Sequence, residues 1–532
     1  MSEIVGATFR TPRGPRPLPR LHDRRLIPVA IVVWAVMWWS TDEGGARALT
    51  GLFPHAEVLW PVLAVVCIIS GAGLCLHSSV VDRAPPRHGN IPGGKIRASL
   101  GVLAVACGAA LWVGDTAIAT HLADPLPRAI GEGTTSISAR VVLLDDPRPQ
   151  ESRWGRSYSA WAEVSAVQIG NRPWERSAVR VTIRSPDLDA YARADILQVR
   201  GKIDPSFFSH PPAVGLLRAN SLTLVERPGG WQGLVRDIRA SLVRICASLN
   251  PQGRGLVPGM AIGDDRALSS DLKDDMRTTS LAHLTAVSGS HIAILLGCLV
   301  YCVRSFWGRV AATTVLLIVI VLLVGPQASV IRSVATSSIG LIGHILGRPH
   351  HSHSALAAVV IATVLLDPWA AHHLGFALSV VATWAVIGPA TSLQIYARHH
   401  DWGRCARLCL TWVSIPLCCQ IAVTPLLLLI DEEVPTWSLI ANLLAAPAVA
   451  PATLFAVAAA LAALPFPELA AILASSASFF TGWVALIAEG IADWPWARIP
   501  IPGGALAASI VLIGIATTIG WWRWKSGAQE VV

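Results

Sequence analysis

Within the stretch HLTAVSGSHIAI, residues 283 to 294, two histidines and two serines interrupt what otherwise reads as the start of an apolar helix. Polar groups at membrane depth cost free energy unless a partner or water satisfies them, so each of these demands a reason. On an unbroken helix Ser288 and His291 share a face, and His283 points about 80° away from His291. The other reading breaks the helix at Ser288-Gly289-Ser290, which membrane proteins tolerate where the chain lines a cavity or is buried in protein. A pore or ligand site fits either geometry. The structural alternative is that the histidines satisfy neighbouring backbone carbonyls in a packed bundle. Ser288 would also suit a nucleophile if a histidine such as His344 served as its base, which would make the chain an intramembrane serine hydrolase.

Arg332, in GPQASVIRSVATSSIGLIGHIL, poses the same question more sharply. An arginine stays ionised, so within a bilayer it must face protein, water or an anion. A phosphate-bearing substrate would satisfy it; so would a buried ion pair, with Asp367 of LLDPW as partner unless that aspartate simply ends a helix. Upstream, LVPGMAIGDDRALSSDLKDDMRTTS carries five aspartates without a fixed ligand spacing and is read as a solvated capping loop rather than a hard-cation site. The HHSH run at 350 to 353 is read as solvated histidines of a cytoplasmic loop. GNIPGGKI, residues 89 to 96, fails as a phosphate loop because Ile96 stands where a magnesium-binding hydroxyl belongs, and it does not follow a strand. No metal, cofactor or ATPase is expected.

The elements that must position these groups follow from composition. The chain has 532 residues, 53% hydrophobic and 14% charged, with a mean hydropathy of +0.53. Such a balance exceeds what one water-soluble core can absorb, so the fold class expected is a polytopic α-helical membrane protein. Its net charge of +8 reports mainly on cytoplasmic loops. The ten cysteines lie mostly in apolar segments and show neither a disulfide framework nor a zinc spacing. Apolar stretches near 26–41, 58–80 and 98–118 are candidate spans, followed by 283–303, 309–324, 328–347, 354–367, 373–396, 408–430, 438–463, 468–491 and 505–522. Basic and acidic loops alternate as the positive-inside rule requires, giving about twelve spans with both termini cytoplasmic in the cytoplasmic (inner) membrane. The 354–367 segment is short enough to be re-entrant.

Residues 131–228 break this pattern with SISARVVLLDD, YSAWAEVSAVQI, SAVRVTIRS, DILQVRGKI and NSLTLVE, five alternating strands that suit an extracytoplasmic small β-barrel such as an OB-like domain. Arg153, Trp154, Arg156, Tyr158, Trp161, Arg172, Trp174 and Arg176 mix rings and cations there, as base stacking and backbone tracking would require. The region holds 13 basic against 11 acidic groups, so it is no strongly basic trap, and core packing is the alternative use of the rings. The expected division is a basic tail (1–25), N-terminal spans (26–118), the OB-like domain (131–228), an amphipathic connector with a glycine- and aspartate-rich loop (231–282), a channel domain (283–522) and a cytoplasmic tail (523–532).

Over much of 255–460 the chain resembles the competence DNA-uptake channel proteins of the ComEC/Rec2 type. LVPGMAIGDDRAL is similar to their glycine-rich motif ending in Gly-Asp, here Gly259, Gly263 and Asp264. SLAHLTAVSGSHIA is similar to their His-Leu-x-Ala-Val-Ser-Gly-x-His core, here His283, Ser288, Gly289 and His291. Arg332, Gly347-Arg348, the Asp367-Pro…Gly375-Phe-x-Leu-Ser379 segment, Pro425, and Asn442 with Pro447 match further motifs in the same order.

The resemblance implies a channel, not an enzyme, that passes single-stranded DNA across the cytoplasmic membrane during natural transformation. It also implies an extracytoplasmic DNA receptor and a cytoplasmic ATP-driven translocase as partners, and leaves the oligomeric state open. Many members end in a metallo-β-lactamase-like domain with a His-x-His-x-Asp-His motif; HHSHSA lacks the aspartate and final histidine, so no nuclease is expected in this chain. Ser280 stands where the family more often has glycine, and Ala377 where glutamine is common. A transporter of a small anionic solute and the serine hydrolase remain the alternatives.

Overall fold

The computed structural model describes residues 26–42, 65–68, 70, 93–133, 136–152, 155–205, 211–325, 327–345, 352–399, 403–429, 431, 433–501, 504 and 509. The expected spans at 58–80 and 505–522 lie mostly outside these residues, as do Arg153, Trp154, Gly347, Arg348, His350 and His351. Helices α1 (Leu26–Ser40), α2 (Gly93–Ala123) and α3 (Pro125–Gly131) precede a strand-rich region. The strands are β1 (Ser136–Leu143), β2 (Arg148–Ser152), β3 (Gly155–Ile169), β4 (Glu175–Arg176), β5 (Arg180–Ser185), β6 (Ile196–Asp204) and β7 (Ala213–Glu226). The chain continues as α4 (Gly230–Cys246), α5 (Pro251–Ile262), α6 (Ser270–Thr278), α7 (Gly289–Cys302), α8 (Phe306–Val324), α9 (Ala328–Ile345), α10 (Ser352–Leu366), α11 (Leu374–Ala385), α12 (Thr391–His399), α13 (Arg404–Leu427), α14 (Ser438–Ala462) and α15 (Pro467–Ala492), with a short β8–β9 pair at Glu433–Pro435 and Arg498–Pro500.

Among the described residues six helices are long and apolar enough to cross a membrane: Leu100–Ala123, Phe306–Val324, Leu374–Ala397, Arg404–Leu427, Ser438–Ala462 and Pro467–Ala492. Leu26–Ser40, Gly289–Cys302, Ser329–Ile342 and Ser352–Leu366 are apolar but shorter. The protein is thus a helical membrane protein with a mixed sheet region. Gly253, Gly255 and Gly259 let α5 run deep between its neighbours: a Cβ on Gly253 would collide with Ser478 of α15, and one on Gly255 would lie 2.6 Å from the Leu268 backbone nitrogen. Alanine stripes on α14 and α15 extend the same close packing, the means by which helices associate where lipid is as apolar as leucine. A second cluster seats α1 and α2 on α10 and Phe376, with Trp34 donating to the Ala371 carbonyl at 3.0 Å.

The sheet pairs β1 with both β3 and β6, β6 with β7, β7 with β5 in parallel, and β5 with β3, so the path of pairings returns to its start. Alternation puts Val141, Ala162, Val181, Val199 and Leu217 inside and their neighbours outside. β2 and the two-residue β4 escaped the sequence reading, and β7 was read only in part. Among the described residues β2 pairs only with β3, and Arg148, Pro149 and Gln150 of this edge strand are all exposed, so no buried face imposes alternation on them. β7 starts at Ala213, seven residues before NSLTLVE.

Other expectations are corrected. The supposed solvated loop at 256–280 is mostly helix: α5 is buried throughout from Gly255 to Ile262, and α6 covers Ser270–Thr278. Its glycines mark close packing rather than turns, Gly263 excepted. His353 is not solvated but buried in the first turn of α10, where a Cβ on Gly388 would sit 3.4 Å from its Nε2.

One polar hub joins sheet and helices. Arg239 of α4 donates to the carbonyls of Ile262 (2.8 Å) and Leu323 (2.7 Å), the last turns of α5 and α8, and to Asp146 at 2.6 Å. Arg193, from the β5–β6 connection, donates its backbone N–H to Asp146 and its guanidinium to the Val324 carbonyl, both at 3.0 Å. Two arginines thus cap two helix C-termini, whose dipoles favour cations. Burial works against the Asp146 carboxylate, but Arg239, Arg266 and the Arg193 N–H outweigh it and hold its pKa below the usual range.

Its neighbour Asp145 behaves oppositely: burial pushes its pKa up to about 6, against the opposing Trp161 N–H bond and Arg148. The folded value exceeds the unfolded one of about 3.9, so the stability tied to the protonated form is complete below that pH and is lost as pH rises through 6. Asp145→Asn keeps an acceptor for the Trp161 N–H. It is expected to raise the melting temperature of the detergent-solubilised chain at pH 7.5 and to leave it unchanged near pH 4; equal differences at both pH values would refute the assignment.

Candidate functional site

The segment 282–288 lies between two helices rather than continuing one. Ala282–Leu284 forms a single 3-10 turn, and α7 begins only at Gly289, with Ser288 as its N-cap in extended conformation. Of the two geometries open from the sequence, the broken one holds: the Ser288-Gly289 step ends the irregular stretch, and His283 and His291 belong to different elements. On one side α5 approaches so closely that a Cβ on Gly259 would stand 2.8 Å from the Thr285 carbonyl oxygen. On the other, Ser329 of α9 donates to the Val287 carbonyl at 3.2 Å.

His291 folds back over the start of its own helix. The Ser288 backbone N–H donates to Nδ1 at 3.0 Å, and the Ser288 hydroxyl lies 3.1 Å from the same nitrogen and 2.6 Å from Ser290 Oγ. A glutamate at this position would cap the helix similarly. Because Nδ1 accepts, the neutral ring carries its proton on Nε2, which is buried without a partner. His283 has the opposite tautomer: its Nδ1–H donates to the Ser280 carbonyl at 2.9 Å. Ser280 itself has φ of +57°, a left-handed conformation that glycine adopts without the penalty of a side chain.

Arg332 sits in the second turn of α9 and is 5% exposed. It donates through Nε to Ser379 Oγ (2.5 Å), through Nη1 to Thr383 Oγ1 (2.7 Å) and through Nη2 to Ser333 Oγ (3.0 Å). Thr383 and Ser333 each give their own proton to the carbonyl four residues back, at 2.8 Å, which leaves their oxygens free to accept. None of these partners carries charge, and Asp367, half-buried at the start of a 3-10 turn, is not among them. Gly289 lets the guanidinium reach the start of α7, since a Cβ there would meet Arg332 Nη2 and Ser333 Oγ at 2.9 Å. Ser288, Gly289, His291, Arg332 and Ser379 are thus brought together, joined by Ser329, Ser333 and Thr383. Only the four-residue spacing of Ser379 and Thr383 on an apolar helix could have signalled the last.

The remaining expected residues sit apart. Gly263 ends α5 at φ +72°, and Asp264, 7% exposed, takes a two-pronged ion pair from Arg266 at 2.8 and 2.7 Å. Among the described residues no group of three His, Cys, Asp or Glu side chains could hold a metal. Gly375 has open space around it, Asn442 bonds to its own helix at the Ser438 carbonyl (2.9 Å), and Pro425 and Pro447 lie inside α13 and α14. In the sheet, Tyr158 packs against the core, Trp161 and Trp174 are exposed, and Arg156, Arg172 and Arg176 are exposed at the ends of β3 and on β4.

Ser288 and His291 are within reach for proton transfer, but serine catalysis also needs a group that orients the base. The Nε2 of His291 has no such partner. The arrangement is instead a buried cation with neutral ligands, a second N–H donor and a helix N-terminus, which together attract an anion.

Two substitutions test the packing that builds this site. Gly259→Ala adds a helix-favouring residue but drives Cβ against the Thr285 carbonyl; a fall of about 1–3 kcal/mol in stability is expected from the overpacking. Ser280→Gly relieves the left-handed backbone and is expected to stabilise by about 1 kcal/mol. Thermal unfolding of each variant beside the intact chain reads both signs.

The Competence protein family model matches residues 260–526, half of the chain. The ComE operon protein 3 of Bacillus subtilis (strain 168) is 26% identical over 179 residues, 33% of this chain and 23% of that protein. The match therefore spans less than a quarter of that relative's length. No solved structure matches. The matched region contains α7, α9 and α11, with the Ser288, His291 and Arg332 cluster they hold, and the chain belongs to the Competence protein family.

Proposed function

We propose that this protein is a membrane channel that passes single-stranded DNA across the cytoplasmic membrane during DNA uptake, with Arg332 as a contact for the phosphate backbone. The observation that carries the reading is the charge of Arg332, held by three hydroxyls and balanced by no carboxylate in its hydrogen-bond shell. A buried charge without a counter-ion is costly, and a passing phosphate would offset that cost transiently, whereas a fixed ion pair would leave the arginine occupied. Hydroxyl ligands suit transit because they orient the guanidinium without neutralising it. Membership of the Competence protein family supports the substrate class.

In this reading the strand-rich region is an OB-like barrel outside the cytoplasm. Its ring of pairings, β1 to β3, β5, β7, β6 and back to β1 with β5 and β7 parallel, supports that description. Both termini face the cytoplasm, an external receptor presents DNA, and a cytoplasmic ATP-driven translocase draws it inward. The channel performs no chemistry on its cargo.

The experiment measures DNase-resistant internal DNA in cells carrying the intact chain or Arg332→Ala at matched membrane abundance. One charge-assisted contact contributes about 1.5–3 kcal/mol, so Arg332→Ala is expected to lower internalised DNA by at least about tenfold while surface-bound DNA is retained. Unchanged uptake by Arg332→Ala, where deleting the chain abolishes it, would make Arg332 structural. If deletion has no effect, the DNA-channel reading falls.

A further inference from the structure

The register of the sheet places four cations in one outward row. Lys202 on β6 lies opposite Arg218 on β7, Arg218 opposite Arg184 on β5, Arg184 opposite Ser159 on β3, and Ser159 opposite Arg148 on β2. Like charges directly opposite one another destabilise a sheet, and here two such pairs, Lys202 with Arg218 and Arg218 with Arg184, are adjacent. Asp204 pairs with Arg218, the member common to both, at 2.8 Å. Neither Lys202 nor Arg184 has a carboxylate partner among the described residues, and Arg184 Nε is buried without any hydrogen-bond partner. Lys202 is exposed, the side chains of Arg218 and Arg148 are 65% and 56% exposed, and Trp161 lies in the next outward row, opposite Thr182, with 44% of its surface free.

We infer that this row is a track for single-stranded nucleic acid, leading from β6 across the sheet to the helical part of the chain. The inference rests on the DNA-channel reading above and adds to it where the strand first lies. Four steps between strands cover roughly 19 Å, enough for several nucleotides. A line of guanidinium and ammonium groups follows a phosphate backbone without reading sequence, and an exposed indole beside it offers a stacking platform for a base. Direction comes from the β2 end, where Arg148 faces Asp265 at 3.8 Å. Asp265 follows Asp264 in the loop that closes α5, so the track ends at the hub that seats the sheet on the helices. An anionic strand laid along the row would also remove the repulsion between its opposed cations.

The test uses the full chain in detergent, a fluorescein-labelled oligothymidylate and anisotropy across a sodium chloride series. The variant Arg184→Gln with Arg218→Gln and Lys202→Gln is expected to bind at least about tenfold more weakly at low salt. Its log–log salt slope should be shallower by about 0.7 for each phosphate contact removed. Arg184→Lys with Arg218→Lys keeps the charges and is expected to keep the slope, which separates lost charge from misfolding. Arg140→Gln with Arg227→Gln and Arg254→Gln removes as many exposed charges off the row and should change neither quantity.

A row variant that binds with unchanged affinity and slope overturns the inference, as does a loss shared equally by the off-row variant. Weakened binding to phosphatidylglycerol vesicles with oligothymidylate binding intact would assign the row to lipid headgroups and overturn it too. An intact chain that does not bind the oligonucleotide sinks the track, whereas the channel reading stands or falls separately on the uptake of Arg332→Ala.

Discussion

Arg239 is the contact from which the arrangement of this chain can be reasoned. One guanidinium ends two helices, α5 at Ile262 and α8 at Leu323, and at the same time grips Asp146 in the β1–β2 connection of the sheet region. Helix C-termini leave carbonyls without donors, and burying such ends without partners is costly. Arg239 and Arg193 meet that need from outside the helices, so the sheet is docked by the same bonds that terminate the bundle. The end of α8 then fixes where α9 begins, because only Gly325–Gln327 separates them. Arg332, five residues on from Gln327, inherits its position from this junction.

Around Arg332 the energetics run the other way. The hub sets a carboxylate, Asp146, between two arginines whose remaining donors go to helix-end carbonyls, and its parts gain from mutual burial because each has a partner. The Arg332 cluster is incomplete in charge though satisfied in hydrogen bonds. Back-bonded hydroxyls serve that purpose well: their protons are committed to helix carbonyls, so they present oxygen to the guanidinium at short range. The same economy appears at His291, whose ring caps a helix through one nitrogen and leaves the other as a bare donor. Two buried sites in one helical domain thus hold donors in excess of acceptors, and the start of α7 lies between them.

Much of this was legible in the sequence, for identifiable reasons. Arg332 declared itself because ionised side chains are rare in apolar runs, and Ser288-Gly289 announced a helix boundary. The positive φ of Ser280 accounts for a position where the resembled family more often carries glycine. What the sequence withheld is long-range. Nothing local links Asp146, Arg193 and Arg239, and each alone reads as a surface charge. Gly259 reads as part of a loop, because close helix approach and flexible turns select the same residue. β2 was missed because an edge strand obeys no alternation, and the row from Lys202 to Arg148 appears only once pairing partners are known.

Gly325 carries a consequence for how this sequence can drift. Its φ of +98° already disfavours a side chain, and a Cβ would fall within the space occupied by the Arg193 guanidinium. Arg193 and Gly325, far apart in the chain, are therefore coupled in the size of the penalty a substitution carries. While Arg193 is present, every substitution at 325 strikes the seat of the sheet; once Arg193 is lost, position 325 answers only to its own backbone. The order in which two mutations arrive would then decide whether the second is tolerated.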